Sequence, residues 1–539
     1  MIFPAQSAVA PGNVVKFDVL QGSPRLRPTW AVQEPGGGTI DANGVYTAPA
    51  GQGTYHVVAT STADPTKSDQ ATVTVTGSPQ TSSPTQTAVP TPTGPQFYVA
   101  TNGDDSNPGT IDQPWRTIQK AMNSATAGST VNIRAGTYNE RLTLNVSGNS
   151  GNYITFQPYG FSVPSGGCGG YTGAACGGDQ VVLDYAYLGT VTDGVPFLEI
   201  SGQSYVRIQG LTFQNFTCYG AMQQGLRIDG ASSFIDVSRN KFLQNKNTYP
   251  NFDGTAALLH VRVWGPSHDV LLYGNELGFI DTVQSEAVTV DGASSVTIQD
   301  NYLHDTDGIG IDLHGSASNC TVRGNLLEWI SKKRDGTIWY STPANAIYVD
   351  GGNTSLIEGN TVRDSEWAFA VCAEPNQPAS HDITVRNNVV YRCYGGLFAG
   401  NWYSSTNGSN VYDVKYLNNT VYSSDQGMVI RPYTSASVEW KNNAIVNTAL
   451  PVVNGLGWPV GTMDYNLYFG GGAAGPDAHQ VTADPQFTNP GAGDFSLGVG
   501  SPAIGAAAAS VGADAGASDF LGNPRFVNGR LDIGAYEAQ

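Results

Sequence analysis

Charge is scarce in this sequence, and what there is leans one way. Asp, Glu, Lys and Arg make up 13% of the 539 residues, about half the share of an ordinary soluble domain. Lys and Arg number 26 against 44 Asp and Glu, for a formal net charge of −18. A duplex-binding surface needs a basic footprint, so nucleic acid is not expected as a partner. The strongest basic run, Lys332-Lys333-Arg334, is followed at once by Asp335 and reads as a loop tip. Long apolar runs are missing too: none reaches the roughly 18 residues of a membrane-spanning helix, so no insertion into a bilayer is expected. The N-terminus lacks a basic segment leading into an apolar stretch, so a secreted form would have lost its signal peptide already. Cysteine is limited to six residues, none at zinc-site spacing. Cys168 and Cys176, in GGCGGYTGAACGG, are expected to form a local disulfide and so to indicate an oxidising, extracellular compartment. Cys320 reads as plain core. The sequence assigns no partners to Cys218, Cys372 and Cys393.

What is present is glycine, 66 residues of it, with abundant Asn, Ser and Thr and a 40% hydrophobic share large enough for a real core. That combination suits a turn-rich β protein. Residues 78–96, GSPQTSSPTQTAVPTPTGP, cannot bury a core and read as an extended linker. Residues 1–77 carry short alternating strands, such as Thr54-Tyr55-His56-Val57-Val58 and Ala71-Thr72-Val73-Thr74-Val75, expected to form a small sandwich. Within them Gly38-Thr39-Ile40-Asp41-Ala42-Asn43-Gly44-Val45-Tyr46-Thr47-Ala48-Pro49-Ala50 resembles bacterial immunoglobulin-like domains of group 2. The resemblance implies a spacer or attachment module without catalytic residues.

Residues 97–539 are dominated by one pattern. A short strand ends in an asparagine followed by two mostly apolar residues, at Asn240, Asn275, Asn301, Asn325, Asn360, Asn388, Asn419 and Asn443. Such a recurrence, with two or three strands and no helix between repeats, predicts a parallel β-helix whose coils bury their inner faces only by stacking. The asparagines are structural in this reading: Asn tolerates left-handed geometry at a tight corner, and stacked amides can bond from coil to coil. The spacing of Ile118 and Ala121 predicts a short helix closing one end. The stretch Phe97-Tyr98-Val99-Ala100-Thr101-Asn102-Gly103-Asp104-Asp105-Ser106-Asn107-Pro108-Gly109-Thr110 with Pro114-Trp115-Arg116-Thr117-Ile118 resembles the start of secreted β-helix proteins of the pectate-lyase-like superfamily. Leu531-Asp532-Ile533-Gly534-Ala535-Tyr536-Glu537 resembles their closing segment. The resemblance implies a right-handed parallel β-helix and a carbohydrate ligand; it does not fix the reaction. The expected architecture is therefore all-β, a right-handed solenoid preceded by an immunoglobulin-like sandwich, with a monomer favoured.

Aligning one strand per coil by its inward apolar residues places Leu226/Ile228, Val288/Val290, Ile309/Ile311, Ile347/Val349 and Phe369/Val371 in the core. The outward residue after the second core position is then Asp229, Arg262, Asp291, Asp312, Asp350, Cys372 and Arg431 in successive coils. Two residues earlier come Arg227, His260, Thr289, Gly310, Tyr348 and Ala370; the preceding turn supplies Gln224, Ala257, Glu286, Asp307 and Asn345. Adjacent coils lie about 4.8 Å apart, so stacked carboxylates repel. Single Asp-Gly pairs such as Asp291-Gly292 are also common turns, but Asp312 is followed by Leu313 and acids fill the turn column as well. Asp291, Asp312, Asp350, Asp307 and Glu286 are the expected catalytic group. Asp229, Arg227, His260, Arg262, His314, Tyr348, Glu374, Trp402 and Arg431 are expected to contact substrate.

Clustered acids serve glycoside hydrolysis, where crowding keeps one carboxyl protonated. Neighbouring coils suit a retaining pair such as Asp291 with Asp312, and two-coil spacing an inverting pair such as Asp291 with Asp350. They also suit a Ca2+ site, as in a β-helix lyase or epimerase, where a Lys or Arg takes the proton. No lysine occupies these columns, which favours hydrolysis of a polysaccharide with no required cofactor, Ca2+ remaining possible. A non-catalytic carbohydrate-binding protein is the third reading.

Overall fold

In the computed structural model, what the repeats become is set by how one coil is pinned to the next. The structure describes residues 2–538 except 4–5, 10–13, 20–28, 41–44, 50, 62–65, 76–93, 165–166, 171–175, 221–222, 249–257, 283–284, 339–343, 375–376, 403–410, 433, 436, 455–460 and 473–474. The linker expected over 78–96 therefore lies outside the described residues up to 93. Three long parallel sheets of 13, 12 and 11 strands run the length of the solenoid, a right-handed parallel β-helix. We call them sheets A, B and C. Each coil contributes a strand to A, turns at its asparagine into B, and turns again into C, as in Ser294–Gln299, Tyr302–Thr306 and Ile309–His314. Alternate residues of each strand point inward and stack in register. On sheet C the register joins Leu198, Leu226, Val261, Val288, Ile311, Ile347, Phe369, Leu397, Met428 and Val452 into one continuous apolar column. A helix, Ile118–Ser124, closes the N-terminal end, its first turn capped by the Thr117 side chain and its Ile118, Ala121 and Met122 buried.

The asparagines form a ladder. The Asn325 carbonyl oxygen accepts from both the backbone and the side-chain N–H of Asn301, at 2.9 and 3.0 Å, while its own amide donates to the Ile298 carbonyl. The same geometry repeats from Asn240 through Asn443 and on to Asn466, which ends the run on the Asp477 carboxylate. The left-handed turn falls one residue earlier than the sequence suggests. Arg239, Gly274, Asp300, Gly324, Gly359, Asn387, Asn418, Asn442 and Tyr465 carry the positive φ, and each precedes a ladder asparagine. In the last coils that preceding residue is itself Asn, and it reaches outward. Asn387 donates to the Ala515 and Ser518 carbonyls, Asn418 to Asp532 and Asn442 to Ala508, tying down the C-terminal segment. That segment buries Ile533 and Ala535 and encloses Arg525, whose guanidinium faces the Glu537 carboxylate.

Upstream, strands between residues 6 and 75 form a four-stranded and a three-stranded sheet with a core of their own around Phe17, Tyr46, Val57 and Val73. Cys168 and Cys176 are bonded, with Cα atoms 5.0 Å apart. Cys218, Cys320, Cys372 and Cys393 are buried thiols. Among the described residues, no helix is long and apolar enough to cross a membrane.

Asn325→Ala strands two buried N–H groups of Asn301 and the Ile298 carbonyl, each worth about 1–3 kcal/mol when orphaned. The variant is expected to lose about 3 kcal/mol, read as a lower denaturant midpoint, whereas Asn353→Ala, at a half-buried position whose side chain accepts only the exposed Thr354 hydroxyl, should change it less.

Candidate functional site

The outer face of sheet C carries most of the chemistry, and five consecutive strands matter: β1 (Leu258–Trp264), β2 (Glu286–Asp291), β3 (Ile309–His314), β4 (Asn345–Asp350) and β5 (Trp367–Cys372). Their register corrects the alignment read from the sequence in two coils. Val288 and Val290 face Ile311 and Leu313, not Ile309 and Ile311. Asp312 therefore lies opposite Thr289 and Tyr348, while His314 occupies the place between Asp291 and Asp350. On β1, Arg262 pairs with Arg227 and Thr289, and Trp264 with Asp291. The three aspartates thus occupy two adjacent columns with a histidine among them. A two-residue slip leaves every side chain on the same face, so alternation alone does not detect it.

The result is a tight cluster. His314 Nδ1 lies 3.6 Å from an Asp312 carboxylate oxygen and 3.4 Å from one of Asp350. Sharing one nitrogen, the nearer oxygens of the two carboxyl groups stand no more than about 7 Å apart. Asp350 also accepts the Glu374 backbone N–H at 2.7 Å, and Glu374 accepts the Tyr348 hydroxyl at 2.8 Å. Gln377 meets the far nitrogen of His314 at 3.1 Å. Glu286 is held by Ser285 and Thr289. Asp312, Asp350 and Tyr348 are buried, whereas His314, Glu286 and Glu374 keep partial contact with water. Burial lifts Asp312 to about 8 against the pull of His314. His314 is raised to about 11: burial opposes its charge, and the hydrogen bonds and fields of Asp312 and Asp350 overcome that. Glu286 and Glu374 are both raised, chiefly by burial, with the neighbouring Asp350 adding to the rise at Glu374. One Asp312 oxygen is buried with no hydrogen-bond partner among the described residues. Burial beside the imidazole thus favours a proton on Asp312 up to about 8.

The other expected residues fall outside this cluster. Asp291 is paired with Arg262 at 2.5 Å, and the Arg262 guanidinium lies 4.2 Å from the ring centre of Trp264. Trp264, two strands before His314, is 43% exposed with one face of its ring beneath the Arg262 guanidinium. Arg227 bonds Glu199 and stands 3.1 Å from Asp229. Asp307 is built into a corner of the fold: its carboxylate accepts the Thr282 N–H and hydroxyl, and burial together with Asp281 raises it well above its ordinary value. His260 lies on β1, with its side chain outside the described residues. Trp402 stacks on Phe398 at 4.1 Å and covers an apolar patch made with Trp367 and Val429. Arg431 follows Ile430, three strands beyond Asp350. The linkage of Glu374 to Asp350 and Tyr348 had no signal in strand periodicity, because Glu374 lies in the turn after β5. Among the described residues, no three His, Cys, Asp or Glu side chains converge as metal ligands.

Residues 97–262 match the family described as the Pel9A-like right-handed β-helix region, and residues 259–455 match the right-handed β-helix region. The cluster from Glu286 to Glu374 lies wholly in the second match. Over 454 residues the chain is 27% identical to the uncharacterised protein YwoF of Bacillus subtilis (strain 168), covering 76% of this chain and 92% of that one. A 51-residue stretch, 10% of this chain, is 43% identical to pectate lyase PEL9 of Emericella nidulans, of which it covers 12%. Similar solved structures include XylC in complex with xylose (12% identity, TM-score 0.40, covering 73% of this chain and 87% of that one) and pectate lyase Pel9A (14%, 0.37, 82% and 96%). A GH136 lacto-N-biosidase from Eubacterium ramulus is also similar (13%, 0.39, 72% and 67%).

Because burial lifts Asp312 to about 8, ionising it costs the folded protein more than the unfolded chain. Stability is lost as pH rises from the ordinary carboxylate range through 8. Asp312→Asn, which cannot ionise, should melt close to wild type at pH 5 and exceed it by a few degrees at pH 8 to 9; a gap that stays constant with pH would show that Asp312 does not hold a proton.

Proposed function

We propose that the chain is a secreted enzyme that degrades a polysaccharide by hydrolysing a glycosidic bond, with the proton supplied from the cluster around His314. The carrying observation is the pairing of Asp312 and Asp350 with one imidazole, within whose field Glu286 and Glu374 also lie, with burial favouring a proton on Asp312 up to about 8. Four acids so arranged destabilise a protein that needs them only for solubility, and they suit proton transfer to a leaving sugar oxygen. Glu286 and Glu374, the two with access to water, are the carboxyls a sugar would meet. Asp312 and Asp350 lie beneath and orient His314. The exposed Trp264 offers a flat apolar face for a pyranose ring beside them. The Cys168–Cys176 bond supports export to an oxidising compartment.

Eliminative cleavage is the second reading, favoured by the Pel9A-like match over 97–262 and the short likeness to a pectate lyase. It needs a base beside the uronate. The groove arginines, Arg227 and Arg262, are each engaged by carboxylates, and the Pel9A-like match stops before the acid cluster.

The deciding experiment incubates the full chain with homogalacturonan, xylan and alginate and follows reducing ends together with ultraviolet absorbance. Hydrolysis gives reducing ends without new absorbance, and Glu286→Gln should lower that rate by about 10²–10⁴-fold with the melt retained. Absorbance that disappears on chelation would replace hydrolysis with Ca2+-dependent elimination. Binding without either product would leave a carbohydrate-binding protein.

A further inference from the structure

We infer that a second saccharide site lies at the corner between sheets B and C, on the coil of Glu286 and the three coils before it, with Phe279 as its platform. The inference rests on the reading that the protein engages a polysaccharide. An open depression of about 700 Å³ is lined there by Thr190, Asn215, Gln244, Lys246, Phe279 and Asp281, among others. These residues come from four successive coils, and the last of them leads directly into β2, which carries Glu286. Lys246 and Asp281 are neighbours across a backbone bridge, and the Asn215 amide is fixed by the Asp184 carboxylate at 2.9 Å. The lining thus combines two carboxamides, two hydroxyls (Thr190 and Thr217), an ammonium and a carboxylate around one aromatic ring. Amides and hydroxyls match the alternating donors and acceptors of sugar hydroxyls, and the ring matches the apolar C–H face of a pyranose.

The choice of residue at 279 is the second observation. Asn215, Gln244, Phe279, Asp305 and Trp329 follow one another in one corner column, and all five take left-handed backbone, with φ between 51° and 62°. Asn and Asp tolerate that conformation; a bulky aromatic pays for it in strain. The Phe279 ring is also 53% exposed, its only ring neighbour among the described residues being His304, edge-on at 5.2 Å. Strain and exposure both argue against a role in stability, and the position opens on the depression. Coil spacing places the site from about 5 to 19 Å along the solenoid from the coil of Asp312, a span of several sugar residues. A polymer chain bound at both places would be held across the groove, and long chains would be preferred over short ones.

The test uses the full chain in native gels containing homogalacturonan, xylan or alginate, comparing wild type with Phe279→Asn and Phe279→Trp. Phe279→Asn suits the left-handed corner, so its melt should equal or exceed that of wild type while its affinity for the retarding polymer falls about tenfold. Phe279→Trp should keep the affinity. Equal retardation of wild type and Phe279→Asn, or no retardation of wild type by any of the three polymers, overturns the site. Cleavage that persists with unchanged retardation in Phe279→Asn removes the second site and leaves the hydrolase standing. Retardation lost in Phe279→Asn without cleavage of any polymer does the reverse.

Discussion

Everything else in this solenoid depends on the column of asparagine amides at the corner between sheets A and B. Hydrogen bonds between parallel strands fix that coils stack, but they are indifferent to sliding by two residues, since such a shift preserves which face is buried. The amide ladder removes the freedom. Each Asn oxygen takes two donors from the asparagine of the preceding coil, so one residue per coil has a single permitted height and orientation. Loops can then vary in length without disturbing the stack, as the long excursion between β3 and β4 does. With the corners pinned, the residues that emerge on sheet C are set by how much chain lies between the ladder and each strand.

That division explains what could be read in the sequence and what could not. The repeat, the solenoid, the capping helix and the local disulfide all follow from short-range patterns: asparagine at recurring intervals, alternation of apolar residues, and two cysteines in a glycine-rich segment. The acids on sheet C were legible as a group, and Glu286, Asp312 and Asp350 do converge. Their mutual arrangement was not. The run Ile309-Gly310-Ile311-Asp312-Leu313-His314 offers two inward pairs of equal merit, and only the stacking of whole coils decides for Ile311 with Leu313. The choice moves His314 from the margin to the centre. Asp307 misled for a related reason, since an acid in a turn column can serve the turn itself, here by holding Thr282. The tie from Glu374 back to Asp350 crosses a coil through a turn and leaves no trace in periodicity.

The acid cluster shows why a rigid sheet is a useful place for unfavourable electrostatics. Crowded carboxyls normally relieve repulsion by turning away into water. On stacked strands their Cα positions are fixed at coil spacing, and the remaining relief is to retain protons or to recruit a cation. The protein does both. Burial favours the protonated form of Asp312 up to about 8, and the two neighbouring carboxyls favour the charged form of His314. The salt-bridged stretch around Arg262 and Arg227, a few coils earlier, solves the same problem by pairing and presents Trp264 instead of free charge.

The paired asparagines of the last coils have a consequence for the order in which the molecule is completed. Asn387, Asn418 and Asn442 donate to carbonyls of residues 508–532, so stacking of these coils is finished by chain that follows them in sequence. Coils made earlier can assemble as they emerge, one upon another, while the final ones wait for the clasp. These coils therefore stay unlatched until residues 508–532 have been made.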